Sequence, residues 1–276
     1  MPILGIDYEK CSNCNICLTT CFYLRRDKEK NKVVYNDPMN FCNLCGHCIG
    51  RCPEDAIIYE DMGEAYAFEG VRKPETIISY DTLYKFLRAN RSTRLYRKKK
   101  VPVEILEKVF EAMTHAPTGS NRRSERFTIL SNQEIIKKLS DAVQEELLKD
   151  PKKQYEDIFP KKQYEDIFSR LANLFRNPVF FDAPHLIIVD SMIDTNSEEN
   201  NIGIIITYGR LAAQALGVGT CWNGWTKHAM MNNSKIKELA GIKGKRMGLF
   251  TIGYPANIKY HRSPPRTPKK VYGLYS

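Results

Sequence analysis

Eight of the nine cysteines in this chain of 276 residues lie between positions 11 and 52. They form two runs with one grammar: CSNCNICLTTC, with Cys11, Cys14, Cys17 and Cys21, and CNLCGHCIGRCP, with Cys42, Cys45, Cys48 and Cys52. Short steps let three thiols of a run point into one concavity, while the longer last step displaces the fourth. The first ten residues, MPILGIDYEK, lack the basic, apolar and small-residue sections of an export signal. The expected address is therefore cytoplasmic, where thiols stay reduced and serve metals or catalysis rather than disulfides.

C-x2-C-x2-C-x3-C is a spacing that ligates iron–sulfur clusters, and in paired runs the last cysteine serves the neighbouring cluster. One set is then Cys11, Cys14, Cys17 and Cys52; the other is Cys42, Cys45, Cys48 and Cys21. Zinc is the competing chemistry, but it takes four sulfur or nitrogen ligands, usually from two C-x2-C units. A triple cysteine, twice over, strains that alternative. On this grammar residues 1–60 resemble a two-cluster [4Fe-4S] bacterial ferredoxin. Phe22 stands where the usual pattern has proline, and the gap between Cys21 and Cys42 holds the charged loop RRDKEKNK. The cysteine set is complete without His47, which is read as a surface or supporting residue.

The formal charge of +10 is unevenly placed: residues 1–60 carry a net −1 and the remainder +11. A basic segment suits anionic cofactors, acidic redox partners or polyanions. Nucleic acid is disfavoured, because neither a recognition helix nor an aromatic-studded strand motif is present. The longest apolar stretch, Ile202 to Gly219, is interrupted by Thr207, Tyr208, Arg210 and Gln214, so no membrane span is expected.

Residues 61–78 lack a period and contain two glycines and a proline, and they are read as a linker between domains at 1–60 and 79–276. Beyond it Asp81 reads as the N-cap of a helix with Leu83, Phe86 and Leu87 on one face. Helices are predicted over Val103 to His115, Asn132 to Lys149 and Asn201 to Leu216, and short buried strands over Phe127 to Leu130, Leu186 to Val189 and Met247 to Gly253. Alternating elements of both kinds give a mixed α+β fold class. PKKQYEDIF occurs twice in succession, at 151–159 and 160–168. Two copies are too few for a solenoid, and a surface loop lengthened by one copy costs little closure entropy.

Four stretches in order, FLRANRSTRLY, EAMTHAPTGSNRRSERF, LAAQALGVGTCWNGW and FTIGYPANIKYHRSPPRTP, make residues 78–276 resemble the nitroreductase family of FMN-dependent oxidoreductases. The resemblance implies an α+β homodimer with FMN at sites formed across the interface. It further implies that Arg91 and Ser92 hold the phosphate end, that Arg94 lies by the pyrimidine ring, and that Ser120 and Asn121 approach the flavin. The amide of Gly224 would face the reactive nitrogen as the catalytic contact, and Arg266 would bind phosphate, with Arg262 a second candidate. Arg123, Ser124 and Glu125 depart from the usual glutamine, proline and tryptophan, and Asn223 replaces an acidic residue that bears on substrate preference. Trp222 and Trp225 are either pocket walls or core. Cys221 is read as a small buried residue, Lys269 and Lys270 as solvated surface, and His115, His185, His228 and His261 as structural. The expectation is an iron–sulfur flavoprotein with two [4Fe-4S] clusters and FMN. It would take electrons from a redox protein or NAD(P)H and reduce a small organic acceptor such as a nitroaromatic, quinone or activated alkene. The alternative is an electron-transfer module serving a partner protein.

Overall fold

The computed structural model describes residues 3–149, 161–256 and 260–273, with the backbone alone for 161–164. It divides into two units, Met1–Ser79 with Gly119–Arg123, and Tyr80–Thr118 with Ser124–Ser276. The stretch read as a linker belongs to the first unit, and its regular structure is a single 3-10 turn, Pro74–Thr76.

Two antiparallel strand pairs frame the N-terminal unit. Strand β1 (Ile3–Ile6) pairs with β4 (Ile57–Tyr59), and β2 (Leu24–Asp27) pairs with β3 (Lys32–Tyr35). Helix α1 (His47–Arg51) is little more than one turn. Strands of three or four residues leave no readable alternation, so the sequence gives no sign of them. Ile3, Ile6, Leu24, Val33, Ala56 and Ile57 are buried with Cys48, and the other core neighbours include five half-buried cysteines. So small an apolar core does little to stabilise a unit of this size unaided.

The second unit is built on one four-stranded antiparallel sheet in the order β5 (Arg126–Leu130), β6 (His185–Ser191), β8 (Arg246–Gly253), β7 (Gly219–Trp222). Central β6 is buried along its whole length, which explains its unbroken apolar run. Leu186 and Ile188 face one layer with Leu249, against α4 (Gln133–Lys149), α5 (Lys161–Ala172), α7 (Gly224–Asn232) and α8 (Ser234–Leu239). Ile187 and Val189 face the other with Phe250 and Ile252, against α3 (Val103–Thr114) and α6 (Asn196–Ala215). Each such side chain taken fully out of water contributes about 1.5–3 kcal/mol.

All three expected strands are present in this sheet, and β7 is an addition. Helix α6 begins five residues earlier than expected, because Thr195 caps it by accepting from Glu198 N at 3.3 Å. Asp81 is not a cap: α2 (Tyr80–Ala89) starts one residue before it, and the carboxylate pairs with Lys85 one turn on at 2.5 Å. The first PKKQYEDIF copy lies outside the described residues; the second enters α5, where Phe168 is fully buried. Among the described residues no helix is long and apolar enough to cross a membrane.

Candidate functional site

An aspartate organises the backbone ahead of each cysteine run. Asp7 Oδ1 accepts from Glu9 N and Lys10 N at 3.0 and 3.3 Å, and its carbonyl accepts from Cys11 N. Asp37 accepts from Phe41 N at 2.9 Å and Cys42 N at 2.8 Å, and from the Tyr35 hydroxyl at 3.3 Å. Burial acts to raise the Asp37 carboxyl, but these donors outweigh it and hold the group below the usual carboxylate range. The two loops that follow share one backbone pattern. Asn13 and Asn15 in the first, and Leu44 and Gly46 in the second, all have positive φ.

This folding gathers the eight thiols into two tetrads. Cys11, Cys14, Cys17 and Cys52 line one cavity. Cys21, Cys42, Cys45 and Cys48 line another. Burial pushes the Cys17 thiol up, and the sulfurs of Cys14, Cys11 and Cys52 add to it. Burial likewise pushes Cys48 up to about 11, with Cys21, Cys42 and Cys45 contributing. Cys52 Sγ also accepts from Ala56 N at 3.3 Å. Among the described residues no group of three or more His, Cys, Asp or Glu side chains is set to hold a single metal ion. The thiols ring cavities instead of meeting at a point, a donor set that fits a polynuclear sulfur cluster.

In the second unit the segment after α2 runs beside β7. Ser92 bridges Thr220, and Thr93 N donates to Thr220 O at 2.8 Å. Gly219 is required for this approach, since a Cβ there would lie 2.3 Å from Thr93 Oγ1. Tyr96 is buried with its hydroxyl 2.6 Å from Thr251 Oγ1. These anchors leave Arg91 and Arg94 exposed on either side of buried Thr93. Arg91 lies over the Tyr260 ring at 5.4 Å and lines a cavity of about 700 Å³ with Tyr84, Lys85, Arg88 and Arg262. Among the described residues Arg91, Arg94, Arg262 and Arg266 have no carboxylate partner. Unneutralised guanidinium groups fit a phosphate-bearing ligand. Arg94 and Arg266 are exposed and outside the lining of that cavity.

Gly224 is the first residue of α7, and a Cβ added to it would meet nothing within 4 Å. Its backbone is thus open to close approach by a ligand. Its neighbour Asn223 is buried and committed to the protein at both ends: Oδ1 accepts from Thr226 N at 2.9 Å, and Nδ2 donates to Val179 O at 2.7 Å. The residue suggested for substrate preference is therefore a helix cap. Trp222 and Trp225 pack with the two core layers, Trp225 edge-on to Phe168 at 5.2 Å. Cys221 is buried, as expected.

Ser120 and Asn121 belong to the first unit, with Met1–Ser79. Ser120 lines the second thiol cavity, and Asn121 Nδ2 donates to the carbonyls of Asn43 and Leu44, both at 2.9 Å. Ser124 Oγ donates to buried Glu198 at 2.9 Å, and Arg126 pairs with buried Asp190. Arg210 in sequence merely interrupts an apolar stretch. It is half-buried, with Nε donating to Thr220 Oγ1 at 3.2 Å.

A four-stranded sheet with helices on both faces, and Arg88, Arg91 and Arg262 about one cavity, defines the second unit as an α+β domain. The sequence pattern of the Nitroreductase family matches residues 87–254, and the chain belongs to this family of oxidoreductases. A crystal structure of a nitroreductase with bound FMN from Desulfitobacterium hafniense has the same fold, with TM-score 0.54 and 21% identity, covering 67% of this chain and 93% of that one. The iodotyrosine deiodinase of Thermotoga neapolitana is 24% identical over 138 residues, which is 50% of this chain and 71% of the relative. The N-terminal part is similar to an uncharacterized ferredoxin of Methanocaldococcus jannaschii, 36% identical over 55 residues, 19% of this chain and 71% of that protein.

Proposed function

We propose that the chain is an iron–sulfur flavoprotein that carries two [4Fe-4S] clusters and FMN and reduces a small organic acceptor such as a nitroaromatic, a quinone or an activated alkene. The observation that carries this reading is the sorting of eight thiols into two tetrads within a chain of the Nitroreductase family. The clusters supply one-electron transfer, and FMN converts single electrons to pairs. Cys11, Cys14, Cys17 and Cys52 hold one cluster; Cys21, Cys42, Cys45 and Cys48 hold the other. Arg91 and Ser92 bind the phosphate of FMN with Arg266, and Arg94 places positive charge by the flavin ring. Gly224 offers its amide without a side chain in the way. Resemblance to nitroreductases and the unpaired arginines support these assignments.

The active form is a homodimer. Support comes from α2, which has no buried residue and leaves Leu83, Tyr84 and Leu87 each about 40% exposed. Electrons come from a redox protein or NAD(P)H. A second reading, an electron carrier for a partner protein, is favoured by the complete exposure of Phe22 next to Cys21. The deciding experiment is anaerobic purification with iron, acid-labile sulfide and FMN measured on one sample. About eight irons and one FMN per chain are expected. Zinc in place of iron removes the cluster reading, and iron without flavin leaves the carrier as the better account.

A further inference from the structure

The two thiol loops share a backbone but not the residues that make it cheap. At the position two after the first cysteine of the run, Asn13 has φ 55° and Leu44 has φ 56°; at the position four after, Asn15 has φ 59° and Gly46 has φ 71°. Asparagine and glycine enter the left-handed region readily, whereas leucine does so at a steric cost. The second loop is therefore strained at one residue, Leu44, where the first is not.

Each loop also has a strut. In the first, Arg26 of β2 donates through NH1 to Asn15 Oδ1 at 2.7 Å, and its other nitrogens hold Asn31 Oδ1. The strut lies near in sequence. In the second, the donor is Asn121 Nδ2, which bonds the carbonyls on both sides of the Leu44 peptide nitrogen and carbon, those of Asn43 and Leu44, at 2.9 Å each. Asn121 itself has φ 51° and follows Ser120 at φ 56°, so two further residues are held in the left-handed region to present that amide. Ser120 lines the same cavity as Cys42, Cys45 and Cys48.

We infer that Asn121 is a positioning residue for the second thiol tetrad: it clamps the strained Leu44 peptide so that Cys42 and Cys45 hold their ligating geometry. This rests on the cluster reading above and assigns Asn121 a role at the sulfur site. The clamp has a signature that a general packing role would lack, because relieving the strain at Leu44 removes the need for it.

The test compares wild type, Asn121→Ala, Leu44→Asn and the double variant Leu44→Asn/Asn121→Ala. Leu44→Asn copies the residue that the first loop uses at the same place. On anaerobically purified protein, iron, sulfide and FMN are measured, and iron release to a chelator is followed in time. Asn121→Ala should release about half of its iron roughly fivefold to tenfold faster than wild type, as loss of the paired hydrogen bonds predicts. The other half should leave at the wild-type rate, with FMN content unchanged. The double variant should return to within about twofold of Leu44→Asn, and it carries the test if Asn121→Ala alone does not fold. Unchanged release, equal acceleration of both halves, or loss of FMN with iron intact overturns the clamp. A wild-type chain without iron–sulfur clusters overturns the cluster reading and the clamp together.

Discussion

His185 uses both ring nitrogens inside the second unit. Nε2 accepts from Val101 N at 3.1 Å, which places the proton on Nδ1, facing Ser131 Oγ at 2.7 Å. Burial pushes its pKa down from 6.5, and the charge of Lys100 adds to that. The unfolded chain therefore binds a proton that the folded chain refuses. His185 contributes stability above the ordinary imidazole range, and that contribution is lost as the pH falls through 6.5 toward the lowered folded value. Urea midpoints measured between neutral and mildly acidic pH should fall with acid, and the slope should flatten in His185→Gln. Asn223 is the second residue whose role is decided by its partners. Asn223→Ala removes the α7 cap and leaves Val179 O unpaired, and it should cost about 2–3 kcal/mol in denaturant unfolding. A changed acceptor preference with unchanged stability would instead restore the substrate role suggested for Asn223. Neither outcome was legible from a histidine and an asparagine in isolation, since both depend on partners 44 to 84 positions away.

At the scale of elements, β6 and β8 were readable because a strand buried on both faces is a nearly unbroken apolar run, as in HLIIV and MGLFTIG, while β5, RFTIL, was readable from a short apolar run though it is only half-buried. The strands β1 to β4 were not, being three or four residues long and framed by thiol loops. Helix α2 was visible as an amphipathic pattern, and in the single chain Leu83 and Leu87 of its apolar face stay about 40% exposed. If that face is the dimer surface, Leu83→Glu with Leu87→Glu should convert a dimer to monomers in analytical ultracentrifugation and lower FMN content with it. Dimers that persist in the doubly charged variant would place the interface elsewhere.

For the whole molecule, the two units differ in what holds them together. The second has a sheet covered on both faces, whereas the first has, among the described residues, seven buried core residues packed with cysteines. If the tetrads bind clusters, the first unit depends on them for folding. Stripping iron with a chelator under reducing conditions should abolish amide-exchange protection within residues 1–79 while residues of β6 and β8 stay protected. Protection that survives in both units after iron removal would mean the apolar core suffices. The sequence by itself determined the grouping of eight cysteines into two runs of one spacing and the family, because cysteine spacing within each run and the order of the four stretches between 78 and 276 are written locally along the chain. Tertiary structure shaped the cavities that the two expected thiol sets line, and it alone seated Asn121 on Asn43 and Leu44 carbonyls 78 and 77 positions away. No local pattern encodes such a contact: a side-chain amide bonds whatever carbonyl the fold brings within 3 Å, and only the folded chain fixes which one that is.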